Sequence, residues 1–144
     1  MVDRPMAGER DLLVTVARLF SIAFLLLGIL GFIPGITTDA PGDFAGEDSD
    51  AELLGIFQTS ILHNLVHLLF GIVGLALSRT WDGARTFLIG AGVIYLALWV
   101  LGLVGGADWI PTNDSDHWLH FVLGVVMLGA GFLLGRSSAT TATT

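Results

Sequence analysis

The chain contains no cysteine. Disulfides, thiolate metal ligands and cysteine nucleophiles are therefore excluded. It contains no lysine either, so its six basic residues are all arginine. Charge of any sign is scarce. Only 13% of residues are Asp, Glu, Lys or Arg, about half the usual share of a soluble domain. The balance is acidic, and a net charge of −7 argues against nucleic acid as a partner. Phosphate-binding loops and dinucleotide fingerprints are missing. Ser60, His63 and Asp50 can be drawn as a triad, but neither a nucleophile turn nor an oxyanion hole accompanies them. No catalytic residue is assigned, and an enzyme is the less favoured class.

What the chain has in quantity is apolar sequence. Of 144 residues, 53% are hydrophobic, and the mean hydropathy is +0.79. These values indicate a membrane protein. A hydrocarbon core of about 30 Å needs roughly 20 apolar helical residues. Four runs qualify, over residues 12–33, 60–77, 84–104 and 115–134. Each is bounded by breakers or caps: Pro34-Gly35, Thr59-Ser60, Thr80 to Gly83, and Asn113-Asp114-Ser115. The expected fold is an all-α, integral membrane four-helix bundle over residues 11–135. Residues 1–10 form an N-terminal segment, and the polar tail 136–144 is expected to be disordered. The first run is too long for a cleaved signal peptide, and Pro41 follows the small-residue site Thr38-Asp39-Ala40. It is read as a span.

The arginines set the orientation. Arg4, Arg10 and Arg18 precede or open the first span, Arg79 and Arg85 flank the loop between the second and third, and Arg136 follows the fourth. Only Asp3, Glu9, Asp11 and Asp82 accompany them. The other two loops hold no base and nine acids: Asp39, Asp43, Glu47, Asp48, Asp50, Glu52, Asp108, Asp114 and Asp116. The positive-inside rule puts both termini in the cytoplasm of an inner membrane, with the acidic loops outside. Arg18 is expected to reach the inner headgroups from within the first run. Glu52 to Phe57 reads as a short amphipathic piece lying in the outer interface as a hinge. Trp109 and Trp118 suit an outer aromatic belt, and Trp81 an inner one.

The second and fourth spans align on their inner histidines. HLLFGIVGLAL, from His67, lies over HFVLGVVMLGA, from His120, and Gly71, Val73 and Leu75 meet Gly124, Val126 and Leu128. FIP before the second span echoes WIP before the fourth. The expectation is a helical hairpin duplicated in tandem, both copies sharing one orientation. The pairs Gly31 and Gly35, Gly102 and Gly106, and Gly131 and Gly135 have the small-xxx-small spacing of close helix packing.

The stretch LLGIFQTSILHNLVHLLFGIVGL, followed after a third span by NDSDHWLHFVLGVVMLGAG, resembles the bacterial four-helix membrane proteins grouped as domain-of-unknown-function family 4383. The resemblance covers roughly residues 10 to 135. HNLVH is its most specific block and DHWLH the second. Where such sequences often have Asn-Pro before the second span, this chain has Thr59-Ser60, which retains a capping residue. The resemblance implies a four-helix membrane fold and no assigned activity. Similarity to the small DoxX-type four-helix membrane proteins rests on architecture alone.

All four histidines fall in those two blocks: His63 and His67, then His117 and His120. Spacings of i, i+4 and i, i+3 put each pair on one helix face. At 1.5 Å per residue, His67 lies about 10 Å past Ser60 and His120 about 8 Å past Ser115. The four form one layer near the outer leaflet, able to face one another if the hairpins pack as repeats. The first role is structural, with the imidazoles hydrogen-bonding to each other, to Asn64 and Asp116, or to carbonyls. The second is a zinc, copper or nickel site made by His63, His67, His117, His120 and Asp116, fed by the outer acids. The third is a single haem b held by His67 and His120. A partner membrane protein or a second copy of the chain is a further candidate contact for the layer, as is a pH response. Thr15, Ser21 and Tyr95 are nearly all the other polar groups within the spans, which is thin lining for a transporter or channel acting alone.

Overall fold

The structure is a computed structural model, which describes residues 7–39, 44–45, 49–105 and 113–136. Four helices carry the fold: α1 (Ala7–Leu30), α2 (Ile61–Leu77), α3 (Trp81–Leu103) and α4 (Asp114–Leu133). Each later helix starts at a residue whose side chain suits the role. Ser60 caps α2 by accepting from the His63 amide, and Thr80 caps α3 by accepting from the Gly83 amide. Asn113 caps α4 through a reciprocal box with Asp116. Such caps satisfy amides that a helix start otherwise leaves without partners. α1, α3 and α4 are long and apolar enough to cross a membrane. α2 is the short one, 17 residues or about 25 Å.

The chain pairs sequential neighbours. α1 packs chiefly on α2 and α3 chiefly on α4, and the two hairpins meet mainly between α1 and α3. The inner faces supply a core of Leu13, Ala17, Phe24, Ala84, Phe87, Leu88, Ala91, Tyr95 and Met127. Polarity is reversed relative to a soluble bundle. Ser21, His63, Asn64, Asp116 and His120 are buried, whereas Leu19, Leu26, Leu69, Ile72, Val93 and Leu133 face outward. Ionisable and amide groups held inside, with aliphatics outside, are what a hydrocarbon solvent selects.

Between α1 and α2 the chain builds a small antiparallel sheet in the order β1-β2-β3, from Thr37–Thr38, Glu52–Leu53 and Phe57–Gln58. The stretch expected to be an amphipathic interfacial hinge is thus a β-hairpin. Leu54 and Gly55 both have positive φ (57° and 66°) at its tip, as the favoured hairpin turns require. Leu54 and Ile56 stay 59% and 50% exposed, so the apolar face anticipated there survives as the hairpin tip. Trp109, the WIP triplet, the N-terminal residues 1–6 and the tail 137–144 lie outside the described residues.

Candidate functional site

The site starts from the two capped helix N-termini. In α2 the Ser60 cap fixes the first turn, and His63 and His67 project from one face at i and i+4. Their ring centroids are 4.6 Å apart. In α4 the Asn113 cap fixes the equivalent turn, and the i, i+4 pair facing inward there is Asp116 and His120. His120 comes within 6.0 Å of His63, ring to ring. The hairpins therefore touch through imidazoles.

Two aromatic residues close the arrangement. Phe24 of α1 stacks on His67 at 5.9 Å, with an interplanar angle of 10°. Tyr95 of α3 stands edge-on to His120 at 5.0 Å. Phe24 and Tyr95 are 5.4 Å apart. His63, His67, Phe24, Tyr95 and His120 thus form a closed circuit of five rings, one or two from each helix. Phe70 braces it from 5.7 and 5.8 Å.

Asp116 does a different job from the histidines. Its Oδ2 accepts from the Gln58 amide (2.9 Å) and from the Asn113 amide (3.2 Å). The Asn113 side chain donates to the Ile56 carbonyl at 2.7 Å. α4 is therefore tied to the hairpin that precedes α2. On the α2 side, Thr59 donates to the Asn64 carboxamide oxygen at 2.6 Å, and Asn64 is 1% exposed.

Of the five sequence-derived site residues, His63, His67, His120 and Asp116 border one small cavity of about 20 Å³ beneath Gln58 and Thr59. A cavity of that size admits about one water. His117 is not among its lining residues. It packs over Gly102 of α3, and its Nδ1 is buried without a hydrogen-bond partner. A spacing of three leaves residues 60° apart on a helix, and spacing of four leaves them 40° apart. That difference turns His117 toward α3 and leaves Asp116 beside His120. Among the described residues no three His, Asp or Glu side chains converge in a set able to hold a metal ion. On the other side of the histidines, a cleft of about 180 Å³ between α2 and α3 is walled by Leu62, Val66, Phe70, Ile94 and Leu98.

Phe24 and Tyr95 were missed as members of the layer. A signal for them exists. Aligning α1 on α3 through Gly31 and Gly102 sets Phe24 over Tyr95. The two hairpins make matching contacts in that register. Gly31 receives the Asn64 side chain, and Gly102 receives that of His117, the residue aligned with Asn64. Gly71 lies against Leu25 and the Ser21 carbonyl, and Gly124 against Leu96 and the Gly92 carbonyl. His67 meets Phe24 as His120 meets Tyr95.

No curated protein and no solved structure matches this chain. A family match does, over residues 15–133, which takes in all four helices. The chain belongs to the family described as domain of unknown function DUF4383.

Proposed function

We propose that the protein is a two-repeat bundle of the inner membrane, both termini cytoplasmic, whose histidine layer is the joint between the repeats near the outer face. The observation that carries this is the closed circuit of five rings, in which His63 and Phe24 of one hairpin meet His120 and Tyr95 of the other at 6.0 and 5.4 Å. The matched contacts at Gly31 and Gly102, and at Gly71 and Gly124, support a duplicated unit. The orientation is supported by charge. Arg10, Arg18 and Arg79 line one cleft at the end of the bundle away from the sheet, and Arg85 and Arg136 line another. Interhelical polar contacts of this kind contribute about 0.6 to 2 kcal/mol each in a membrane. In such a protein the layer registers the two halves, and no chemistry is asked of it.

A second reading draws on the same spacing. The imidazoles of His67 and His120, 4.6 and 6.0 Å from that of His63, are the ligand type that zinc, copper and nickel accept, and ring rotations would have to bring their nitrogens together. The haem reading has less support, because Phe24 and Tyr95 fill the path between His67 and His120.

The test uses protein purified in mild detergent without a histidine tag. An absorption spectrum and metal quantification are taken on one sample. The joint predicts a colourless, metal-free protein that takes up neither added zinc, copper, nickel nor haemin, and a His67→Gln variant that folds normally. One metal per chain, lost in both His67→Ala and His120→Ala, would replace the joint with the metal site. A Soret band lost in the same variants would replace it with the haem.

A further inference from the structure

The strongest unassigned feature is at the opposite end from the histidines. Arg10 and Arg18 of α1 and Arg79 of the α2–α3 turn line a single cleft of about 600 Å³, together with Asp11, Thr15, Thr80, Trp81 and Asp82. Three elements contribute to it. Arg10 and Arg18 are eight residues apart, about 12 Å along α1 and roughly 80° around it, and both border the cleft. Thr80 caps α3 beside them, adding the partial positive charge of a helix N-terminus. Two aspartates stand against three arginines, so the cleft keeps a net positive charge. None of the described arginines forms an ion pair with a carboxylate. Trp81 forms part of the wall, between this cleft and the one lined by Arg85 and Arg136. An acceptor-rich anion is what the three guanidinium groups have in common.

The apolar surroundings identify the kind of anion. Leu12, Leu19 and Ile22 of α1 and Val73 and Leu77 of α2 face outward near and beyond the arginines. In a bilayer these surfaces meet acyl chains, while the arginines sit at headgroup depth. A soluble phosphate satisfies only the upper half of this arrangement.

We propose that this cleft is a specific site for an anionic membrane phospholipid. The lipid phosphate would sit among Arg10, Arg18 and Arg79, with its tails along α1 and α2. Guanidinium forks suit phosphate oxygens. Asp11 and Asp82 limit the affinity and make the site sensitive to charge substitutions of either sign. The proposal does not depend on the histidine layer.

The experiment is native mass spectrometry of the intact protein in detergent, titrated with phosphatidylglycerol and with phosphatidylcholine of identical tails. Phosphatidylglycerol is expected to bind at least tenfold more tightly, and less so as salt rises. Losing one surface arginine should weaken it about fivefold, so Arg18→Gln with Arg79→Gln should weaken it about 30-fold. Asp82→Asn should tighten it severalfold, a change of sign that damage to the fold cannot imitate. Should the double variant not fold, the single variants carry the same test at about fivefold each. Equal binding of the two lipids, unchanged affinity in the arginine variants, or weaker binding in Asp82→Asn would overturn the proposal. So would displacement of the lipid by inorganic phosphate at comparable concentration, which would make the site one for a soluble anion.

Discussion

Gly31 and Gly102 show what single residues contribute to this bundle. A Cβ on Gly31 would fall on the Asn64 carboxamide, and one on Gly102 on the His117 ring. Both polar side chains are held where they are because the facing helix has no side chain. Gly31→Ala and Gly102→Ala are each expected to lower stability by about 1–3 kcal/mol through overpacking, read as the midpoint of thermal unfolding in detergent. Gly90 and Gly129 provide the comparison, since a Cβ at either meets nothing within 4 Å. Alanine there should leave the midpoint unchanged or raise it, as glycine inside a helix costs about 1 kcal/mol relative to alanine. Much at this scale is readable from sequence, because a histidine four residues from another must share its face. The role of His117 is not, since i+3 neighbours diverge enough for a facing glycine to claim one of them.

At the scale of elements, the sheet and α4 depend on Asp116. Its Oδ2 takes the amides of Gln58 in β3 and of Asn113 at the α4 cap. Asp116→Ala deprives two amides of their acceptor, at about 1–3 kcal/mol for each one left unsatisfied in a buried place. The expected result is faster hydrogen exchange at the Gln58 amide together with a lower unfolding midpoint. Asp116→Asn keeps an oxygen acceptor and should show a smaller change in both. Helix limits were legible from caps and breakers: Ser60, Thr80 and Asn113 all serve as N-caps. The sheet was not. Its strands are two residues long, too short for a period of two to register, and β1 pairs with β2 at a separation of 14 residues. Leu53, Leu54, Ile56 and Phe57 then read as an amphipathic stretch, and only Gly55 hints at the turn.

At the scale of the whole molecule, burial of polar groups and exposure of aliphatics match the composition, so the membrane class followed from amino-acid content alone. The pairing of α1 with α2 and α3 with α4 agrees with the expected tandem hairpins and not with connection length, since the shortest connection, between Leu77 and Trp81, joins α2 to α3. The facing of the histidines was expected from the repeat, whereas the apolar patterns of α1 and α3 do not mark Phe24 and Tyr95, which only the alignment through Gly31 and Gly102 sets together. The orientation has a simple test, since the chain has no cysteine. A single cysteine at Asp39 should react with a membrane-impermeant maleimide on intact cells. One at Asp82 should react only after permeabilisation.

Coupling of the two hairpins through their imidazoles is read by a double-mutant cycle on His63→Ala and His120→Ala, with unfolding free energies measured in detergent on metal-free protein. The joint predicts a coupling energy of about 0.6 to 1.7 kcal/mol between positions on different hairpins. Additivity within about 0.3 kcal/mol, the behaviour of sites that do not interact, would contradict it.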